Sequence, residues 1–63
     1  MIDLKEKRIE SGLTQEHLAN MCEVQRTTIT MIEIGENKPS VELAKKLGNV
    51  LKFDWTLFFE DDK

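Results

Sequence analysis

The side chains best suited to recognition chemistry in this 63-residue sequence lie between positions 25 and 31. Ile29 and Ile32 are three residues apart, a spacing that predicts a helix with one buried face. The positions facing outward from that helix are Gln25, Arg26, Thr27, Thr30 and Met31. Reading a DNA major groove requires a helix that is held from behind and carries hydrogen-bonding and adaptable side chains in front. Arg26 is the expected reader of guanine, and Thr27 and Met31 are expected to contact thymine methyl groups.

The preceding stretch predicts a second short helix that would position this one. Thr14 is a good N-cap, because its hydroxyl can accept a backbone N–H one turn further on. Leu18, Ala19 and Cys22 follow at i, i+1 and i+4, the pattern of one buried helical face. The residues at 23–25 break that pattern. The stretch from 13 to 35 therefore reads as two short helices joined by a tight turn.

This stretch resembles the helix-turn-helix of the phage repressor and Cro-type family of bacterial regulators, also called the xenobiotic-response-element family. The motif TQxxLA is followed at fixed spacing by TIxxIExG. The matching residues are Gly12, Leu13, Thr14, Gln15, Leu18, Ala19, Val24, Arg26, Thr28, Ile29, Ile32, Glu33, Gly35, Pro39 and Ser40. Similarity extends from about residue 4 to residue 59. The resemblance implies an all-α fold, a compact five-helix bundle like the lambda repressor DNA-binding domain, that represses or activates transcription at specific DNA sequences.

The resemblance also implies roles for residues outside the exposed helix face. Gln15, Asn37 and Lys38 are expected to contact DNA phosphates. The alternatives are an exposed polar surface residue for Gln15 and stabilisation of its own turn for Asn37. Arg8 and Glu33 are expected to form a structural ion pair that clamps the first helix to the third.

Two residues in the turn depart from the family pattern. Glu23 stands where a glycine is usual, because the chain adopts a positive φ there, so a glutamate is expected to be strained by about 1 kcal/mol or more. Gln25 stands where Ser or Thr commonly caps the recognition helix. As a poorer cap, Gln25 is expected to have its side chain free for DNA.

The flanking segments predict the remaining helices. Asp3 is expected to start the first helix and Gly12 to end it in the left-handed conformation. Ser40 is expected to cap a fourth helix over residues 41–51, with Val41, Ala44, Leu47 and Leu51 inward and Gly48 at a close approach. Asp54 is expected to cap a short last helix.

Residues 53–59, called the last segment below, contain every aromatic residue of the chain. This segment is therefore expected to contribute to dimerisation as well as to the core. The residues expected at the subunit contact are Phe53, Trp55, Leu57, Phe58 and Phe59. The acidic residues at 60–62 read as a frayed tail.

Bulk properties define the class of protein. Residues 1–63 are expected to form a single domain. The composition, with 40% hydrophobic and 33% charged residues, is typical of a globular chain. The single cysteine cannot form an internal disulfide, and there is no signal peptide and no apolar run near the ~20 residues of a membrane span. A cytoplasmic location is therefore expected. The net charge of −3 is unusual for a DNA-binding domain, which normally carries a basic footprint.

Enzymatic activity is not expected, because the sequence has no Gly-rich phosphate loop, nucleophile–base pair or cluster of metal ligands. Neither a cofactor nor a small-molecule ligand is implied. The leading hypothesis is a DNA-binding transcriptional regulator, a repressor acting as a homodimer on a near-palindromic operator in double-stranded DNA. The alternative is a protein-binding module of the same fold, antitoxin-like or regulator-binding, with weak or no DNA binding. The acidic balance and the changes at Glu23 and Gln25 favour that alternative slightly.

Overall fold

The computed structural model describes residues 2–59, which form four α-helices and a short 3-10 helix. The α-helices are α1 (Leu4–Glu10), α2 (Gln15–Met21), α3 (Arg26–Glu33) and α4 (Val41–Leu51), and the 3-10 helix is Trp55–Phe59. The expected all-helical helix-turn-helix architecture is confirmed, and no strand occurs between residues 2 and 59. The fifth helix of the expected bundle is a 3-10 turn, a form common in segments this short. The acidic residues at 60–62 lie outside the described residues.

Three helices begin at the side-chain caps that the sequence predicts. The Thr14 hydroxyl accepts a hydrogen bond from the backbone N–H of His17 at 3.0 Å, and Ser40 Oγ accepts one from the N–H of Leu43 at 3.1 Å. Asp3 Oδ1 accepts the N–H of Glu6 at 3.2 Å. Each cap satisfies a donor that the first turn of a helix leaves without a partner. The starting positions of these three helices could therefore be predicted from residue type.

The core lies where α2, α3 and α4 meet. Its largest fully buried side chains are Leu18, Ile29, Leu47 and Cys22. Burial raises the pKa of the Cys22 thiol, and nearby Lys46 partly opposes that shift. Because the thiol stays neutral and enclosed, Cys22 serves as a small apolar core residue, as the sequence predicts.

The inner face of α4 differs from the expected one at its first turn. Val41 is 51% exposed, whereas Leu43 is buried with Ala44, Leu47 and Leu51. Two residues along an α-helix turn the side chain by about 200°, so Val41 and Leu43 cannot share a face. Burying Leu43 therefore leaves Val41 in solvent, and the expectation that Val41 faces inward was wrong.

The chain after α4 folds back tightly onto that helix. A Cβ atom added to Gly48 would lie 2.7 Å from the carbonyl oxygen of Phe53 and 3.0 Å from Cβ of Trp55. The predicted close approach at Gly48 is therefore confirmed. Asp54 Oδ1 then accepts hydrogen bonds from the backbone N–H and the hydroxyl of Thr56, and these bonds hold the pKa of the Asp54 carboxyl below its usual value.

The aromatic side chains of the last segment divide between core and surface. Phe58 is 7% exposed and packs edge-on against Phe53, with 5.5 Å between ring centres. Phe58 therefore has little surface to offer a second subunit, because its ring completes the core. Phe59 is exposed, and Phe53, Trp55 and Leu57 are half-buried. Of the five residues expected at a subunit contact, these four keep exposed surface.

Candidate nucleic-acid interface

The turn between α2 and α3 sets the angle at which α3 leaves the domain. Glu23 has a φ of 63°, so the expected left-handed conformation at this position is confirmed. The backbone N–H of Val24 donates to the carbonyl of Ala19 at 3.0 Å, and this bond closes the end of α2. The Glu23 side chain is exposed and accepts a long 3.4 Å contact from Lys46 Nζ. A glutamate keeps this conformation because the helices on both sides dictate it.

Behind α3, a charged pair joins the first helix to the third. Arg8 Nε donates to Glu33 Oε2 at 2.7 Å, and the two side chains are only 11% and 3% exposed. Arg8 Nη1 donates to the carbonyl of Leu13 at 2.8 Å. The guanidinium thus ties the end of α3 to the segment that leads into α2. A pair this enclosed has strict geometry, since each charge depends on the other after losing water.

The same carboxylate also holds Gln15, the first residue of α2. Gln15 Nε2 donates to Glu33 Oε1 at 2.9 Å, and the Thr30 hydroxyl donates to Gln15 Oε1 at 3.1 Å. We refer to Arg8, Gln15, Thr30 and Glu33 as the polar cluster. Gln15 is therefore neither a fully exposed surface residue nor a side chain wholly free for phosphate, because part of its hydrogen-bonding capacity is used inside the protein.

The front of α3 is open at its N-terminal end. Gln25 is the N-cap residue with a φ of −79° and makes no side-chain capping bond, as its poor capping chemistry predicts. Gln25, Arg26 and Thr27 are exposed, whereas Ile29 and Ile32 behind them are buried. Within residues 2–59, Arg26 forms no ion pair. These three side chains retain their capacity to bind an external partner.

Arg26 and the start of α2 share one surface. An open depression is lined by Arg26 together with Thr14, Gln15 and Glu16, and by the end of α1. Two of the residues predicted to contact DNA, Gln15 and Arg26, are thus brought together although 11 positions separate them in the sequence. The carboxylate of Glu16 on the same surface reduces its positive charge.

Asn37 and Lys38 lie on a loop wrapped around the other end of α3. The backbone N–H groups of Glu36 and Asn37 both donate to the carbonyl of Met31, at 2.9 and 3.3 Å. The side chains of Asn37 and Lys38 are exposed. They border a groove with apolar walls from Ile2, Leu4, Ile32, Pro39 and Phe58. Of the predicted phosphate contacts, Gln15 therefore lies beside Thr30 and Glu33 in the second half of α3, and Lys38 lies beyond the end of that helix.

Thr30 and Met31 differ from the rest of the predicted base-contacting residues. Both are half-buried, and the Thr30 hydroxyl is directed to groups within the protein. The internal role of Thr30 was missed in the sequence reasoning, which placed it on the outward face. The available signal was its position four residues after Arg26, because threonine in a helix often donates to the carbonyl at i−4. Its bond to Gln15 has no sequence signature.

Neither a cluster of metal ligands nor a membrane-spanning helix occurs in the described part of the chain. His17 is exposed, and residues 2–59 contain no group of three or more His, Cys, Asp or Glu side chains that could hold a metal ion. Among the same residues, no helix is long and apolar enough to cross a bilayer. The surface formed by α2, α3 and the following loop is the candidate functional site, because it carries the exposed residues that the sequence predicts to contact DNA.

Comparisons with known proteins show similarities that extend over most of the chain. A family described as helix-turn-helix matches residues 4–58. An uncharacterized HTH-type transcriptional regulator of Bacillus subtilis, YqaF, is 53% identical over 58 residues, covering 92% of this chain and 76% of the relative. Another, from Methanocaldococcus jannaschii, is 40% identical over 62 residues, covering 95% of this chain and 94% of the relative. A third, from Archaeoglobus fulgidus, is 36% identical over 62 residues, with coverage of 95% and 89%.

Proposed function

Because this chain belongs to the Cro/C1-type helix-turn-helix family of DNA-binding transcriptional regulators, we propose that it is a repressor that reads its operator with the N-terminal half of α3. The exposed side chains of Gln25, Arg26 and Thr27 carry this assignment, because they are unpaired within residues 2–59 and stand on a helix fixed from behind. Arg26 is the guanine reader in this scheme, through a two-pronged contact to O6 and N7. Met31 is half-buried further along α3 and offers an apolar contact to a thymine methyl group.

Phosphate contacts on both sides of α3 would set its depth and angle in the groove. Lys38 lies beyond the C-terminal end with its ammonium group in solvent, and Asn37 is adjacent. Gln15 lies at the start of α2, where backbone N–H groups also favour an anion. The acidic net charge does not forbid this, because screening limits charge effects to about 8 Å at cellular salt, so the charges close to each contact matter more than the total of −3.

We further propose that the protein binds as a homodimer to a near-palindromic operator. Two α3 helices would enter successive major grooves about 34–36 Å apart. The exposed face of the last segment, formed by Phe53, Trp55, Leu57 and Phe59, would supply the subunit contact. Sedimentation at micromolar concentration, with and without duplex, tests this point. A monomer under both conditions would exclude the dimer and favour binding to a single half-site.

The direct test of the DNA-binding assignment begins with selection of bound fragments from a random duplex pool. Affinity is then measured for the selected duplex and for a mixed-sequence duplex of equal length, across a range of salt. Arg26→Ala should weaken the binding free energy for the selected duplex by about 1–3 kcal/mol, because a base contact is removed. Binding to the mixed-sequence duplex should change little. An equal loss on both would make Arg26 a phosphate clamp and leave base reading to Gln25, Thr27 and Met31.

Lys38→Ala is the matched comparison. It should weaken both duplexes alike and lower the salt slope by about one unit per subunit, since one ammonium–phosphate contact is lost. Lys52→Ala serves as a control, because Lys52 is an exposed lysine at the end of α4. If the wild-type protein binds no duplex at moderate salt, the DNA-binding assignment fails and the protein-binding alternative replaces it.

A further inference from the structure

The hydroxyl of Thr30 lies between two acceptors that belong to different elements. Oγ1 of Thr30 is 3.1 Å from Oε1 of Gln15 in α2 and 3.2 Å from the carbonyl oxygen of Arg26 in α3. A threonine hydroxyl has one proton to donate, so at any moment it serves one of these acceptors. Its only donor is thus committed within the protein. The hydroxyl cannot also donate to a base without releasing Gln15 or Arg26.

The partner on the other side of Gln15 fixes which way its amide points. Glu33 is held by Arg8, and an ionised carboxylate only accepts hydrogen bonds. The Gln15 group facing Glu33 Oε1 at 2.9 Å must therefore be the NH₂. Oε1 of Gln15 therefore faces Thr30, and the Thr30 hydroxyl donates a hydrogen bond to it.

We propose that Thr30 is a positioning residue for DNA-backbone binding and does not read a base. Held by Glu33 through one N–H and by Thr30 through its oxygen, the Gln15 amide has its second Nε2 hydrogen left for an external acceptor. That hydrogen has no partner among residues 2–59. A phosphate oxygen is a suitable acceptor for this hydrogen, because glutamine side chains commonly donate to the DNA backbone. This inference rests on the proposed DNA-binding function and assigns Thr30 a role different from that of Arg26.

Thr30→Val is the decisive variant, because it removes the hydroxyl and keeps the shape of the side chain. It should weaken the selected duplex and a mixed-sequence duplex by the same factor, about three- to tenfold, since the contact it disturbs is to phosphate. The order of preference among duplexes with single base changes should stay that of the wild type. Thr30→Ser keeps the hydroxyl and should restore both affinities to within about twofold of wild type.

A double-variant cycle separates positioning of Gln15 from any independent contact. In a Gln15→Ala background, Thr30→Val should have almost no further effect, because the amide that Thr30 orients is gone. If Thr30→Val lowers the DNA affinity in that background by as large a factor as it does in the wild type, the proposal is overturned. A loss confined to the selected duplex, with changed preference at one base pair, would also overturn it and make Thr30 a base reader.

A measurement on the protein without DNA tests the orientation itself. The two side-chain amide protons of Gln15 should give well-separated NMR signals in the wild type and in Thr30→Ser, because one proton bonds to a carboxylate. In Thr30→Val the separation should shrink toward that of a free glutamine, while the backbone spectrum keeps its wild-type dispersion. An unchanged Gln15 amide would overturn the proposal whatever the DNA affinities show.

These measurements distinguish failure of this inference from failure of the proposed function. If the wild type binds duplex DNA and Thr30→Val binds it with unchanged affinity, only the positioning role is overturned, and a purely structural role for Thr30 remains. If the wild type binds no duplex, the DNA-binding function fails and the positioning role fails with it.

Discussion

The two ends of this domain hold their helices by different means. At the helix-turn-helix end, α1, α2 and α3 are joined through the polar cluster, in which Glu33 accepts from both Arg8 and Gln15 at 2.7–2.9 Å. At the other end, the chain after α4 lies close against Gly48, and the rings of Phe53 and Phe58 pack edge-on against each other. One end depends on directed hydrogen bonds, and the other depends on shape and apolar burial.

The difference follows from what each end must expose. α3 keeps only Ile29 and Ile32 buried and leaves the N-terminal part of its front to solvent. With so little apolar surface, its rotation about its own axis is weakly fixed by packing, because hydrophobic contact is non-directional. Hydrogen bonds have strict distances and angles, so the polar cluster supplies the missing direction. The last segment is held mainly by packing, because Phe58 is buried and the chain lies close against Gly48.

The largest effect is expected from removing the carboxylate at the centre of the polar cluster. Glu33→Ala should cost about 3–5 kcal/mol in the free energy of unfolding, because it leaves the guanidinium of Arg8 enclosed without its partner. Domains of this size have little stability in reserve, so the variant should be largely unfolded near 37 °C. Thermal unfolding followed by circular dichroism measures this.

Glu36→Ala provides the matched control, because Glu36 is an exposed carboxylate three residues further on. Its free energy of unfolding should lie within about 0.5 kcal/mol of the wild-type value. If Glu33→Ala melts together with Glu36→Ala, the polar cluster contributes little to stability. The contrast between the two ends would then have to be abandoned.

An intermediate effect is expected at the packed end. Gly48→Ala should destabilise the protein by about 1–3 kcal/mol, because the new methyl group meets backbone atoms that cannot move aside like a flexible side chain. The better helix propensity of alanine offsets part of this cost. Asn49→Ala, at the next and exposed position of α4, should be close to neutral. Denaturant unfolding of the two variants compares them directly, and equal midpoints would show that the last segment shifts to make room.

The sequence predicts the parts of this structure that depend on local chemistry. The caps at Thr14 and Ser40 follow from residue type and position. The same holds for the buried apolar positions of α2 and α3, whose spacing is helical. The left-handed conformation of Glu23 was implied by the resemblance to a family that usually has glycine at this position. A short helix was predicted after Asp54, but its 3-10 form depends on backbone hydrogen bonds that sequence periodicity does not report.

What the sequence did not predict depends on contacts between distant residues. Gln15 meets Glu33 and Thr30 only after the chain folds, so their shared hydrogen bonds have no local signature. The exposure of Val41 likewise depends on which of two neighbouring rows of α4 packs against the core. Partners for the outward residues Gln25, Arg26 and Thr27 lie outside the chain, and their contacts with DNA stay predictions.

The smallest effects concern backbone strain, which both ends of the domain contain. Glu23 in the turn before α3 and Lys52 at the C-cap of α4 have φ values of 63° and 65°. Replacing a non-glycine residue by glycine in this conformation relieves a clash of Cβ, which stabilises the folded state. It also increases the freedom of the unfolded chain, which offsets part of that effect. The net gain in the free energy of unfolding is up to about 1 kcal/mol.

The two substitutions should differ in size, because Glu23 contacts Lys46 at 3.4 Å, whereas Lys52 forms no ion pair within residues 2–59. An exposed pair of this kind contributes about 0–1 kcal/mol. Lys52→Gly should therefore raise the free energy of unfolding by about 0.5–1 kcal/mol, and Glu23→Gly by less. Raising the salt concentration should bring the two values together, since it screens the pair that only Glu23 loses. If Glu23→Gly remains the less stabilising change at high salt, the smaller gain comes from the backbone of the turn and not from the ion pair with Lys46.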